Sequence, residues 1–525
     1  MEKLNNLIYK HFIASSIFLI FGLFFGIIYS IEMLGYFVDN YGLLAPQTTR
    51  SLHLSFMLYG FVPLMLSVLP FALFEKEGIQ SKEGLIYLDT FFKVWYIFLI
   101  FMGLTILFGV QRHLPFYDFH YLLNFILVVA GLFYLLAINS FVKNISVVPI
   151  WVKISKKIII FSPFLLIILM NPVFGQVDKT LVGPHGDNTL GMSFALLPIY
   201  YLAIKLNSQN KFFGRKRNIF LIIPLLGYIL SVVYRVTVGN LSYSQEWFLQ
   251  YLTLLYLPLL LLWVKDAKLT WQKDTALITS LLAFTFADIE GNILFIPEIR
   301  AIFHRNDLVV AHAHIAVSLA LFLLSISIVQ KFIDSSRLKK FVVYWTIIFC
   351  LMIVALSISG ISQAGLINLS TEPLWATRSI SGILALGLLL WFITPTIKPF
   401  KMDLLKFYNL SGFFSDTFGG IMLLLFGTQI FSIIGIYAIN PILNVVYIFM
   451  IMVGIIHLIG FLNKQYEALC ANITSWTRIG VSAVFISLYL QNSIDITGLL
   501  VAIYDFLFAI LWLGFLALRF KMREI

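Results

Sequence analysis

The sequence predicts an all-α, polytopic transmembrane helix bundle, and three observations support this fold class. Of the 525 residues, 60% are hydrophobic, and the mean hydropathy is +0.94. Only 12% are charged, which is about half the share of a typical soluble domain. Apolar stretches of roughly 18–25 residues, the length that crosses a bilayer, recur along the whole chain. These features exclude a soluble globular protein and a disordered one.

Counting the apolar stretches gives about 16 expected spans, joined by short loops with no soluble domain between them. A boundary near 397–412 separates residues 1–396, with twelve spans, from residues 397–525, with the final four and no assigned role. The spans are expected near 11–34, 50–74, 91–111, 120–142, 156–172, 186–206, 217–236, 246–266, 275–297, 307–330, 341–364, 378–396, 413–437, 441–463, 477–493 and 497–519.

The net charge of +11 reflects topology, so the bilayer is the expected partner and nucleic acid is not. When the loops are alternated across the membrane, most Lys and Arg residues fall on one side, as the positive-inside rule describes. Both termini are therefore expected in the cytoplasm, in a bacterial inner membrane. Cys350 and Cys470 are the two cysteines, which excludes a disulfide scaffold and a thiolate metal cluster. No CxxCH motif offers covalent haem attachment.

Histidines within or beside the spans are candidate functional residues, because ionisable groups in a bilayer are costly. The expected topology places His53, His185, His312 and His314 at a similar depth near the outer surface. His312 and His314 are two residues apart, so on a helix they point about 200° apart and serve two different centres. This set favours axial ligation of two haems. The alternative is a haem-free transporter with histidines along its pore.

Two segments resemble a known family. The stretch TTRSLHLSFMLYGF (48–61) resembles the second helix of the catalytic subunit of haem–copper oxidases. The stretches FADIEGNILF (286–295) and IFHRNDLVVAHAHIAVSLALF (302–322) resemble cbb3-type oxidases and nitric oxide reductases. The resemblance covers roughly residues 10–396 and implies a twelve-helix core. It implies that His53 and His314 bind a low-spin haem and that His312 binds a high-spin haem.

The same resemblance implies roles for other polar residues. Glu290 matches a buried glutamate of these subfamilies and is expected to be a protonatable group or a ligand of a second metal. His304 and Asp307 match residues near the outer haem propionates. Arg300 and Arg305 lie on the side where basic residues are scarce, so they are expected either to pair with propionates or to be solvated loop residues.

The sequence departs from the family where a copper ion would be bound by three histidines. In LVGPHGDNTLGMSF (181–194), Asp187 occupies the expected ligand position and His185 lies two residues early. In VVYRVTVGNLSYSQEW (232–247), Gly239 and Asn240 replace the expected histidine pair, with Tyr243 alongside as a further catalytic candidate. A normal copper site is therefore not expected.

A weaker metal site remains possible in the sequence. His185, Asp187 and Glu290 would offer mixed nitrogen and oxygen ligands, which suit non-haem iron or manganese better than copper(I). The alternative for Asp187 is a helix N-cap.

The expected function is that of a membrane respiratory-type oxidoreductase subunit with two haems, most simply b-type. Electrons would pass through the low-spin haem to a high-spin haem that binds or reduces O2 or NO. They would come from a donor subunit, a cytochrome or quinol. The second interpretation is a relative without the second metal that transfers electrons, binds gas or dismutates NO. The third is the haem-free transporter.

Overall fold

The structure is a computed structural model, and the residues that it describes are helical with no β-strand. The structure describes most of the chain, with gaps. It covers residues 2–36, 45–112, 118–143, 186–208, 219–303, 305–333, 336–393, 404–421, 443–491 and 496–521, and single positions or pairs at 145, 148, 152–153, 156, 160 and 423–424. In this part of the chain, eleven helices are long and apolar enough to cross a membrane. The expectation of an all-α, polytopic membrane bundle is confirmed.

The helices are numbered here in chain order, and two carry internal π-helical turns. They are α1 Glu2–Glu32, α2 Pro46–Lys76, α3 Lys82–Leu107, α4 Tyr121–Val142, α5 Gly186–Asn207, α6 Ile219–Thr237, α7 Tyr243–Ala267, α8 Trp271–Leu294, α9 Pro297–Phe303, α10 Asp307–Val329, α11 Ser336–Gln363, α12 Glu372–Ile393, α13 Leu404–Phe413, α14 Leu443–Leu462, α15 Glu467–Leu490 and α16 Ile496–Lys521.

Most expected spans coincide with a helix to within a few residues. The expected span 156–172 and most of 413–437 lie outside the described residues. The largest difference that affects the site is at α12, which begins at Glu372 rather than near residue 378. Pro373 follows at an early helical position and Glu372 is acidic in the first turn, and both favour a helix start. The helix therefore includes Arg378, which the hydropathy pattern places at its edge.

The chain forms two compact units, residues 1–107 with 111–397 and residues 398–525 with 108–110. In the first unit, α1 packs against α2 and α12, and α10 packs against α2, α8 and α11. Aromatic rings fill the space between these helices. Phe341 stacks on Phe392 with ring centroids 4.6 Å apart, and Phe322 stacks on Trp345 at 4.4 Å. Helices α1, α2, α10, α11 and α12 form the walls of the cavity described below.

The start of α10 is held by polar contacts rather than by apolar packing alone. Asn306 caps the helix by accepting a hydrogen bond from the backbone N–H of Leu308 at 3.0 Å. Its side-chain amide also donates to the carbonyl of Gly360 on α11 at 2.9 Å. Such a cap satisfies backbone donors that would otherwise be left without partners at the helix end. It fixes the register in which the following histidines are presented.

The second unit contains α13, which a π-helical turn over Phe414–Phe418 extends, together with α14, α15 and α16. Its small core is formed by Leu405, Tyr408, Ala471 and Trp512. The indole N–H of Trp512 donates to the side-chain carbonyl of Asn472 at 2.7 Å. The unit therefore buries polar contacts as well as apolar surface.

Candidate functional site

His53 on α2 is held in one orientation by a helix that packs beside it. Its Nδ1–H donates to the backbone carbonyl of Gly22 on α1 at 2.8 Å. Because a carbonyl can only accept, the neutral ring carries its proton on Nδ1 and its lone pair on Nε2. Gly26 is needed for this approach, since a Cβ there would lie 2.5 Å from Nδ1 of His53. The sequence of α1 thus leaves space for the imidazole.

His314 on α10 has the same arrangement on the other side of a shared space. Its Nδ1–H donates to the carbonyl of Val310 at 2.8 Å, which again leaves the lone pair on Nε2. The ring of His314 lies 24° from parallel to that of His53, with ring centroids 6.4 Å apart. The structure therefore brings together two imidazoles of matching tautomer from distant parts of the chain.

A cavity between these helices is bordered by both histidines. Much of its wall is apolar, with Leu54, Phe349 and Met352 among the lining residues. An apolar cavity bordered by two imidazoles with available lone pairs is suited to a mostly apolar group that contains a metal ion.

Arg378 on α12 also borders the cavity, and the sequence analysis did not identify it as a site residue. Its guanidinium lies 5.2 Å from the ring centroid of Tyr29 on α1 and interacts electrostatically with Asp307. An arginine inside an apolar span is itself a signal of function. That signal was missed because the expected span began at residue 378. Arg378 gives the cavity a fixed positive charge.

His312 points to a different helix from His314, as their spacing on α10 predicts. Its Nδ1–H donates to the carboxylate of Glu290 on α8 at 3.3 Å. The His312 and Glu290 side chains are 30% and 16% exposed, so the pair is partly shielded. Gly291 lies beside the same ring, where a Cβ would lie 3.3 Å from Cε1 of His312. A carboxylate on Nδ1 orients an imidazole and increases the basicity of its Nε2.

Asp307 has a structural role at the start of α10. Its Oδ2 accepts hydrogen bonds from Ser359 at 2.6 Å, Gln363 at 2.8 Å and the indole of Trp375 at 2.7 Å. These donors lie on α11 and α12, so the carboxylate ties three helices together. The side chain is 9% exposed.

Tyr243, Arg300 and Arg305 do not border the cavity. The Tyr243 hydroxyl donates to the carbonyl of Phe295 at 3.0 Å. Arg300 is half-buried on α9, and Arg305 is exposed in the turn before α10. His185 and His304 lie outside the described residues, as does the side chain of Asp187 in the first turn of α5.

The segment with Gly239 and Asn240, where the sequence analysis looked for a histidine pair, is a turn between α6 and α7. Gly239 has a φ of +122°, and Ser242 caps α7 in a capping box with Gln245. Within the described part of the chain, no group of three or more His, Cys, Asp or Glu residues is placed to hold a metal ion. The pair His312–Glu290 is the nearest described approach to such a group at this site.

A scan against models of known protein families and a search of curated proteins both found no match to this chain. The function must therefore be inferred from the residues and their geometry.

Proposed function

We propose that this integral membrane protein is a haem-binding oxidoreductase subunit, with His53 and His314 as the two axial ligands of a low-spin haem. The observation that carries this proposal is the distance between the imidazole rings of His53 and His314. An imidazole nitrogen binds a metal at about 2.0 Å and lies ~1.1 Å from its ring centre, so two axial imidazoles on one iron have centroids about 6.2 Å apart. The separation of 6.4 Å between these rings supports the assignment.

The tautomers and the cavity support the same assignment. Each Nδ1–H is bonded to a backbone carbonyl, which is how proteins fix metal-binding histidines and leave Nε2 for the metal. The apolar lining from Leu54, Phe349 and Met352 suits a macrocycle. Arg378 would pair with a propionate, because a guanidinium matches a carboxylate in charge and shape.

We assign His312 as the protein ligand of a second, high-spin haem, with Glu290 accepting from its Nδ1. This pairing bears on the proposed metal role of Glu290. Because Glu290 accepts at Nδ1 of His312, it would lie on the opposite edge of the ring from any group held at Nε2. We therefore propose that Glu290 orients His312 and tunes its donor strength, rather than binding a second metal.

When bound, the two haems would supply one-electron transfer and a position for a diatomic gas, O2 or NO. The chain's own contribution is to hold both imidazoles, exclude water with apolar walls and place positive charge at Arg378. The donor would be a partner subunit, a cytochrome or quinol. We place the protein in a bacterial cytoplasmic membrane with both termini inside, on the charge asymmetry of the loops.

A second candidate is a dihaem protein without the second metal, which transfers electrons, binds gas or dismutates NO. The turn at Gly239 and Asn240 favours it, because those positions replace two expected ligands. The competing proposal is non-haem iron held by His185, Asp187 and Glu290. A third candidate, from a different functional class, is a haem-free transporter.

Haem and metal analysis of the purified full-length protein tests these proposals. Reduced-minus-oxidised spectra, recorded with and without carbon monoxide, should show two b-type haems of which one binds the gas. Copper should be absent, and iron beyond two per chain would favour the non-haem iron site. A protein that binds no haem after expression in a haem-sufficient host would overturn the proposal and favour a transporter.

A further inference from the structure

Four ionisable side chains of the C-terminal unit form a buried cluster, each on a different helical segment. They are Asp416 on the π-helical turn after α13, His457 on α14, Arg478 on α15 and Asp505 on α16. Their side chains are between 0% and 14% exposed. Ionisable residues inside apolar spans are costly, and they are retained where they have a function or are paired with one another.

Arg478 is the centre of this cluster. Its guanidinium donates to Oδ1 of Asp416 and to Oδ1 of Asp505, and to the hydroxyl of Ser415 at 3.1 Å. The guanidinium carbon also lies 4.3 Å from the ring centroid of Phe508. One cation and two carboxylates leave a net charge of −1 in a low-dielectric interior, which is unfavourable unless another positive charge is bound.

The tautomer of His457 follows from its neighbours. The side-chain amide of Asn409 donates to the backbone carbonyl of Glu467 at 3.0 Å, which fixes its Oδ1 as the acceptor that faces His457. Nδ1 of His457 lies 3.2 Å from that oxygen and therefore carries the ring proton. The neutral ring then has its lone pair on Nε2.

That lone pair faces a second acceptor. Nε2 of His457 lies 3.7 Å from Oδ2 of Asp416, and neither atom has a hydrogen-bond partner among the described residues. Two acceptors facing one another in a buried site repel and leave both atoms unsatisfied. One proton between them would remove the repulsion and bring the cluster from a charge of −1 to zero.

We propose that Asp416 and His457 form a binding site for one exchangeable proton inside the C-terminal unit. Uptake forms an N–H bond at Nε2 of His457 or an O–H bond at Oδ2 of Asp416, with the proton drawn from solvent, and release reverses this step. No other bond changes. The site is independent of the haem proposal, since all its residues lie in residues 398–525.

The surroundings are built to hold this pair. Gly412 on α13 leaves the space that the His457 imidazole occupies, since a Cβ there would overlap the ring. Asp416 lies in a π-helical turn, a feature that is frequent at functional sites. Other titratable groups on the packed helices are Tyr408, whose hydroxyl bonds Ser475 at 2.6 Å, Tyr504, whose ring lies 5.8 Å from Arg478, Tyr447 and Glu467.

Infrared difference spectroscopy of the full-length protein in liposomes tests the proposal. Spectra are recorded between acidic and alkaline buffer, in H2O and in D2O, because a carboxylic acid or imidazolium band shifts on deuteration. We expect one buried group that titrates with such a signature and is lost in Asp416→Asn. The introduced amide can donate to Nε2 of His457 and still accept from Arg478, so this variant should fold.

A second variant, Asp505→Asn, tests the charge balance of the cluster independently. Asp505→Asn leaves Arg478 balanced by Asp416 alone, so the site no longer needs a proton for neutrality. Its titration midpoint should move to lower pH by roughly one unit or more. Glu467→Gln, which alters another buried acid of the same unit, is the matched control and should leave the midpoint unchanged. A titration that persists in Asp416→Asn, or a midpoint that is unaffected by Asp505→Asn, would overturn the proposal.

Discussion

The imidazole rings of His53 and His314 lie 24° from parallel with centroids 6.4 Å apart, and each donates through Nδ1 to a backbone carbonyl at 2.8 Å. Neither ring depends on the other for its orientation, because the carbonyls belong to α1 and α10. Each ring is therefore held in place with the lone pair of its Nε2 left for a ligand. The proposed low-spin haem site depends on this relationship.

Gly26 provides the first test of this geometry. In Gly26→Ala the new Cβ would lie 2.5 Å from Nδ1 of His53, so the ring must move, at a cost of about 1–3 kcal/mol. We expect low-spin haem per protein, measured from the reduced-minus-oxidised spectrum, to fall several-fold. Gly387→Ala on α12 is the control, since a Cβ there meets nothing within 4 Å. Equal haem content in both variants would contradict the expectation.

Arg378 should tune the low-spin haem electrostatically. A positive charge beside a haem favours the reduced form, so Arg378→Gln should lower the midpoint potential in a spectroscopic redox titration. Arg337→Gln is the matched control, because its guanidinium lies 5.4 Å from the ring centroid of Trp391 and does not border the cavity. A potential that is unchanged in Arg378→Gln would remove the propionate role proposed for this residue.

Glu290 distinguishes two proposals for the second haem. If its carboxylate orients His312, Glu290→Gln should weaken retention of the haem that binds carbon monoxide by ~10–100-fold and raise its potential. Glu298→Gln, on the exposed side of α9, should leave both quantities unchanged. If Glu290→Gln instead loses a non-haem metal and keeps the carbon monoxide spectrum, Glu290 is a ligand of a second metal.

Asp307 is expected to stabilise the bundle rather than bind haem directly. Asp307→Asn removes the charge that accepts from Ser359, Gln363 and Trp375, and we expect a loss of about 1.5–3 kcal/mol in the free energy of unfolding. Thermal unfolding should show a lower midpoint while both haems remain. Glu372→Gln, exposed at the start of α12, is the control. If Asp307→Asn loses haem without a lower unfolding midpoint, the result would support a contact between Asp307 and a haem propionate instead.

Much of the fold follows from hydropathy, because a bilayer requires long apolar helices and few charges within them. The positions of α4 and α10 agree with the expected spans nearly residue for residue. The divergent directions of His312 and His314 also follow from the geometry of one helix. These features are local, so the sequence contains the information that predicts them.

The rest depends on contacts between helices that are distant in the chain. The pairing of His312 with Glu290 requires the register of α8 against α10, which periodicity does not provide. The cluster around Arg478 is spread over four helical segments, each of which contributes one ionisable side chain to it. Arg378 was overlooked because hydropathy does not detect the polar first turn of α12. An arginine six residues inside a helix that begins at Glu372 is the signal that would have identified it.

The most direct test of the haem proposal is the spectrum of two single variants, His53→Ala and His314→Ala, beside His120→Ala. His120 lies ahead of α4, where its side chain accepts from the N–H of Leu122, and it does not border the cavity. We expect each cavity variant to lose the low-spin signal in optical and electron paramagnetic resonance spectra, while the carbon monoxide-binding haem and the His120→Ala spectrum persist. A low-spin signal that survives in both cavity variants would contradict the assignment of these two histidines.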